Sequence, residues 1–188
     1  MSIQMKVLET RKKQMFKEVG RLSKTSYVTI TGIMAALIAI MTAYVCHIPV
    51  GVNGGYIHFG DSLIYMAAVL LPRPYALAAA AIGGGLADLL TAPMWAPATI
   101  IIKMLITLPF TNQGKKIITV RSVIASVLAY FISGVCYFVA QYLLFGTWAV
   151  FFVSMSENLI QSAGSAAVFI IMGIALDKVQ FKTRIFAK

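Results

Sequence analysis

Residues 27–46 read YVTITGIMAALIAIMTAYVC, from Tyr27 to Cys46, twenty residues without a single charge. At ~1.5 Å per residue a helix of this length crosses the roughly 30 Å apolar core of a bilayer. The rest of the chain is of the same kind. Of its 188 residues 60% are hydrophobic and 12% charged, whereas a soluble domain carries about 25% charged and about 45–50% apolar residues. So little polar surface cannot clothe a water-facing globule, and the length suits one compact unit.

Upstream of this run, residues 1–26 carry seven of the sixteen basic residues, with Leu8, Met15, Val19 and Leu22 recurring between them. The spacing predicts an amphipathic basic helix lying on the inner membrane face, with a disordered basic tail as the alternative. The basic stretch is too long for a secretory leader, and no cleavage site follows it. Downstream, His47–Gly60 holds four glycines, one proline and two histidines and reads as a loop. Further apolar runs follow at 61–71, 75–90, 96–110, 122–145 and about 158–176. Asp61 caps the first of these, Pro72-Arg73-Pro74 ends it, and a fairly apolar turn at 146–157 precedes the last. The 61–71 run reaches only ~16 Å as a helix, so it reads as a partial span completed by buried loop residues.

Charge sets the orientation. Segments 1–26, 72–74, 111–121 and 177–188 hold fifteen of the sixteen Lys and Arg residues, and segments 47–60, 91–95 and 146–157 hold none. Basic loops stay on the cytoplasmic side. The expectation is an all-α membrane protein with six transmembrane helices over 27–176, both termini cytoplasmic, and a basic tail over 177–188. The basic flanks suit an anionic lipid bilayer, not nucleic acid. Cys46 and Cys136 have neither disulfide-framework nor metal-ligand spacing and read as packing residues.

A charge retained inside lipid faces protein or a wet cavity. Asp88, near the outer end of the third run, and Lys103, about two turns into the fourth, fall at similar depth. They pair with each other as a buried salt bridge, contact a polar ligand, or do both. The outer half also offers Trp95, Tyr137, Gln141, Glu157, Asn158 and Gln161, and the first outer loop adds Asn53, Tyr56, His58 and Asp61. Aromatic faces with a few amide and charged groups are what a small heterocycle needs, while an interfacial aromatic belt is the ordinary alternative. His47 and His58 read as loop hydrogen-bonders, not metal ligands. Gly32-x-x-x-Ala36 and Ala35-x-x-x-Ala39-x-x-x-Ala43 form a smooth stripe for close helix approach, within the chain or to another protein. Gly83-Gly84-Gly85 reads as helix packing, since a phosphate loop would need a following Lys-Ser/Thr. No Gly-x-Ser-x-Gly elbow, no His-Glu-x-x-His and only six scattered acids occur, so no catalytic centre, metal site or cofactor is expected.

Four blocks appear in order: YIHFGDS over 56–62, GGGLADLL over 83–90, WAPATIIIK over 95–103 and ENLIQ over 157–161. In these the chain resembles the substrate-binding S components of energy-coupling factor (ECF) transporters, in the subgroup named for riboflavin and hydroxymethylpyrimidine uptake. The resemblance covers about residues 27–176. It implies six helices, a pocket open to the outside of a prokaryotic cell membrane, and a vitamin or vitamin precursor as ligand. Riboflavin, hydroxymethylpyrimidine, pyridoxine and a queuosine precursor are the candidates, and Asp88 and Lys103 near amides favour a small polar heterocycle. It also implies docking onto a membrane T component driven by two cytoplasmic ATPases, through the Ala35, Ala39, Ala43 and Gly32 stripe. By position it carries the pocket to Asp88, Trp95, Lys103, Asn158 and Gln161, with the first loop as a lid; the basic N-terminus departs from the family. Two rival readings are an intramembrane lipid-modifying enzyme, which lacks the clustered acids or nucleophile–base pair it would need, and a ligand-free membrane assembly protein.

Overall fold

The computed structural model of the chain describes residues 22–45, 48–50, 55–146, 148 and 150–186. The basic segment up to residue 21 lies outside the described residues, as do Cys46, His47 and Asn53. The first helix, α1 (Lys24–Ala43), starts three residues earlier than its uncharged run, because the Ser23 hydroxyl accepts the Ser26 backbone N–H at 3.0 Å and caps it. The glycine-rich loop contains an antiparallel hairpin, β1 (Ile48–Val50) with β2 (Gly55–Ile57), in which Pro49 faces Tyr56. Three residues per strand amid so many glycines leave too little period-2 pattern to announce a strand.

Then come α2 (Gly60–Leu70), α3 (Arg73–Thr91), a 3₁₀ turn at Pro93–Trp95, α4 (Ala96–Leu105), α5 (Val120–Phe145), α6 (Val150–Lys178) and a short α7 (Phe181–Ile185). Each of the six apolar runs falls on one of α1–α6. Among the described residues four stretches are long and apolar enough to cross a bilayer: α1, α3, α5 and Met155–Lys178 within α6. The apolar helices Gly60–Leu70 and Pro93–Leu105 are shorter. Two expected boundaries move. α4 stops at Leu105, ahead of Pro109, whose missing N–H and ring suit the looser turn that follows. The turn expected at 146–157 contracts, since Gly146 ends α5 in the left-handed region (φ 68°) and α6 is already helical at Val150.

Around α2 the other helices assemble. Beyond Asp61 and Ser62 it is apolar on all sides, and all of it except Leu63 is buried, against α1, α3 and α6. Tyr65 stacks on Phe110 with centroids 4.9 Å apart and meets Phe169 edge-on at 5.8 Å. The triple glycine sets the spacing of α3 from its neighbours. A Cβ on Gly83 would come 2.8 Å from the Ala35 carbonyl oxygen of α1, and one on Gly84 would come 2.7 Å from Cγ of Lys103 on α4. Outward, α5 and α6 present large apolar side chains such as Leu143, Phe152 and Ile171, each more than two-thirds exposed, as acyl chains require.

Candidate functional site

The polar centre of the molecule begins at the buried N-terminal end of α2. Here His58, the residue after the hairpin, accepts the Gly60 backbone N–H on Nδ1 at 2.9 Å, filling one of the helix's orphan donor positions. Neutral His58 therefore carries its proton on Nε2. One residue on, Asp61 projects a carboxylate where the partial positive charge of the helix end favours it. Both of its oxygens are engaged. Oδ1 accepts from Lys103 Nζ at 2.6 Å, and Oδ2 accepts from Gln161 Nε2 at 3.0 Å. Asp61 and Lys103 are each 1% exposed.

The acid 2.6 Å from the ammonium is thus Asp61, whereas the sequence offered Asp88 as its partner. Asp88 is also buried, on α3. The lysine reaches this depth because Gly84 leaves room for its methylene stem. Its ammonium also lies 5.6 Å from the centroid of Tyr137, within cation–π range.

An aromatic wall stands beside the ion pair. Tyr137 shares a hydrogen bond with Thr99 at 3.2 Å, and Trp95 lies edge-on to it at 6.4 Å and 6.2 Å from Phe145. Trp95 is buried, yet its indole N–H finds no partner among the described residues; the hydroxyls of Ser162 and Ser165 on α6 are in the same condition. Buried donors left unmatched cost about 1–3 kcal/mol each, so Trp95 beside this polar centre, with Ser162 and Ser165 on the same helix as Gln161, marks a place where other polar atoms belong.

The expected site residues divide into three groups. Lys103, Gln161, Asp88 and Trp95 converge around Asp61 and Tyr137. Asn158 is buried but serves as a tie between helices, accepting from Ser133 Oγ at 2.5 Å and donating to the Tyr130 carbonyl at 2.9 Å. His58 closes the end of α2, Gln141 is buried on α5 one turn beyond Tyr137, and the backbone of Tyr56 lies in β2, which packs on α6. Asp61 was legible as a cap and as an outer-loop polar group but not as the partner of Lys103, and Ser162 and Ser165 gave no signal, since a serine in an apolar helix usually bonds its own backbone. In the small-residue stripe, Ala35 and Ala43 are buried inside the chain, Ala39 is half-buried, and Gly32 is exposed with nothing within 4 Å of where its Cβ would stand. A separate cavity of about 320 Å³ lies at the other end of α2, lined in part by Leu71, Arg73, Thr107 and Gln113. Among the described residues no cluster of His, Cys, Asp and Glu could hold a metal ion.

Comparison with known proteins adds two findings. The family model described as ECF-type riboflavin transporter, S component, matches residues 22–178. An "Uncharacterized protein in gap 3'region" of Pyrococcus woesei is 36% identical over 63 residues, which is 34% of this chain and 43% of that protein. The chain therefore spans less than half the length of that relative.

Proposed function

Because this chain belongs to the ECF-type riboflavin transporter S component family, we propose that it captures a vitamin-like N-heterocycle at the Asp61–Lys103 centre and delivers it to an ATP-driven ECF module. What membership itself gives is coarser: a multi-pass membrane protein with a substrate-binding role in a vitamin-type transporter, and not an enzyme. The finer reading places the protein in a prokaryotic plasma membrane with six spans, both termini inside, and the hairpin and the 146–149 turn outside. Residues 27–176 form its membrane domain, flanked by the basic segments 1–26 and 177–188.

The observation that carries the ligand reading is the buried Trp95 indole N–H without a partner, beside an ion pair and two aromatic rings. A planar heterocycle stacked along Trp95 and Tyr137 would offer that donor an acceptor. Its ring-edge oxygens and nitrogens would meet Lys103, Gln161 and the Ser162 and Ser165 hydroxyls. Asp88 supplies a further acceptor or charge. Asn158 and Gln141 frame this volume, and Tyr56 and His58 belong to the lid that covers it. As the pair is enclosed here, entry requires the hairpin to move. The candidate ligands are a small polar heterocycle, namely hydroxymethylpyrimidine, pyridoxine or a queuosine precursor, which Lys103 and Asp88 favour, and the larger riboflavin. Calorimetry of the purified protein against these four compounds, without ATP, tests the reading. Nanomolar-range binding of one of them, weakened at least about tenfold by Trp95→Phe through loss of one indole hydrogen bond, is the expected result. No heat with any of them would remove the pocket assignment.

The full enclosure of Asp61 and Lys103 favours a second reading, a structural pair in a ligand-free assembly protein. That reading predicts no vitamin binding by the wild type, and every measured activity unchanged when Asp61→Asn and Lys103→Gln are combined. On the transport side, the exposed Gly32 with Ala36 beside it offers the T component a smooth strip on α1, while Ala35 and Ala43 hold α1 to its own chain. A T component and two cytoplasmic ATPases complete the proposed importer.

A further inference from the structure

A buried charge without a counter-ion lies far along the chain from the paired Asp61–Lys103 centre. Lys182, in α7, is 3% exposed, and its ammonium has no hydrogen-bond partner among the described residues. The nearby acid, Asp177, does not satisfy it. Both Asp177 oxygens are taken by backbone N–H groups, from Ile117 at 2.8 Å and Ile118 at 2.9 Å. Burial pushes the Lys182 ammonium below its ordinary value, and the charge of Asp177 only opposes that shift.

The local backbone is shaped around this burial. Between α6 and α7 the chain turns through Gln180 at φ 54°, a left-handed conformation uncommon outside glycine. That turn folds Phe181 and Lys182 back onto the protein instead of letting α6 run on into water. The Asp177 clamp, meanwhile, holds the 111–121 segment against the end of α6. Together the 111–121 and 177–186 segments bring six basic residues to one end of the bundle with a single acid, already occupied. Lys115, Lys116, Lys178 and Arg184 are exposed there.

We propose that this corner is a binding site for the phosphate of an anionic membrane lipid, with Lys182 as its buried contact and Lys178 and Arg184 at its rim. An ammonium without a counter-ion is expensive to bury. The end of a spanning helix lies at the depth of lipid phosphates, and a phosphodiester supplies the missing acceptors through charge-assisted hydrogen bonds. The inference needs α6 to cross the bilayer. It does not need the vitamin site, nor a choice of leaflet, because both leaflets present phosphates at this depth.

The test uses the full chain in an uncharged detergent. Phosphatidylglycerol, phosphatidylcholine of the same acyl chains, or inorganic phosphate is added, and thermal unfolding and lipid retention in native mass spectrometry are read. Lys182→Met removes the ammonium and keeps the stem; Lys116→Met removes an exposed charge of the same corner. The expected result is a rise in melting temperature with phosphatidylglycerol alone, kept by Lys116→Met and largely lost by Lys182→Met. Retention should be about tenfold weaker in Lys182→Met, as for one charge-assisted bond lost. Equal shifts in all three proteins, or no shift in the wild type, overturn the site. An equal response to inorganic phosphate overturns the lipid and leaves a soluble anion. Should Lys182→Met fail to fold, Lys182→Arg, which keeps the charge, must retain the lipid response, and its loss there counts equally against the proposal. Vitamin binding by Lys182→Met stays at the wild-type value.

Discussion

At the residue scale the molecule turns on one lysine that its composition could hardly hide. Lys103 is the only basic residue outside the four basic segments, and placing it within a span made it a candidate at once. Its partner was less legible. Reading Asp61 as a cap and a loop residue did not pair it with Lys103, which it meets at 2.6 Å. The coupling is testable. Lys103→Met leaves an enclosed carboxylate with one hydrogen-bonding amide, and should destabilise the protein by about 3–5 kcal/mol in reversible thermal or denaturant unfolding. Adding Asp61→Asn should recover most of that loss, since neither buried charge then remains. A double variant as unstable as the single one would show that the pair does not act as a unit.

At the element scale, the apolar runs located α1–α6 among the described residues, because a helix satisfies its own backbone within one apolar segment. Their ends followed chemistry that hydropathy does not register. Thr119 and Ser122 form a reciprocal capping box that starts α5 two residues ahead of its apolar run. Thr119→Ala should cost about 1 kcal/mol in unfolding measurements, and Thr119→Asp should cost little. The Gly83–Gly85 reading as a packing element agrees with the close approach of α1 and α4 to α3. Gly83→Val would drive a side chain against the Ala35 backbone carbonyl, which cannot yield as a flexible side chain would. A loss of about 1–3 kcal/mol is expected, and wild-type stability would show that α1 and α3 are not held at this distance.

At the scale of the whole molecule, the asymmetry of charge between the segments predicts sidedness that labelling can read. In a background with Cys46 and Cys136 replaced, a cysteine at Lys116 should react with a membrane-impermeant maleimide only from inside, and one at Trp148 only from outside. Both positions are exposed. Labelling of the two from one side would reverse the positive-inside assignment. Docking is also a property of the whole surface: Gly32→Trp on the open strip of α1 should abolish assembly with a T component while leaving ligand affinity unchanged.

The imidazole of His58 belongs in sequence to the outer loop but in hydrogen bonding to α2. A loop that closes the end of a helix acts as a latch on that helix. Drawing the hairpin aside withdraws the acceptor from Gly60, frays the first turn, and slackens the carboxylate one residue further on. Under the proposed lid role, door and charge lock form one mechanical part, and a mutation that merely lengthens the hairpin should unsettle Lys103 without touching it.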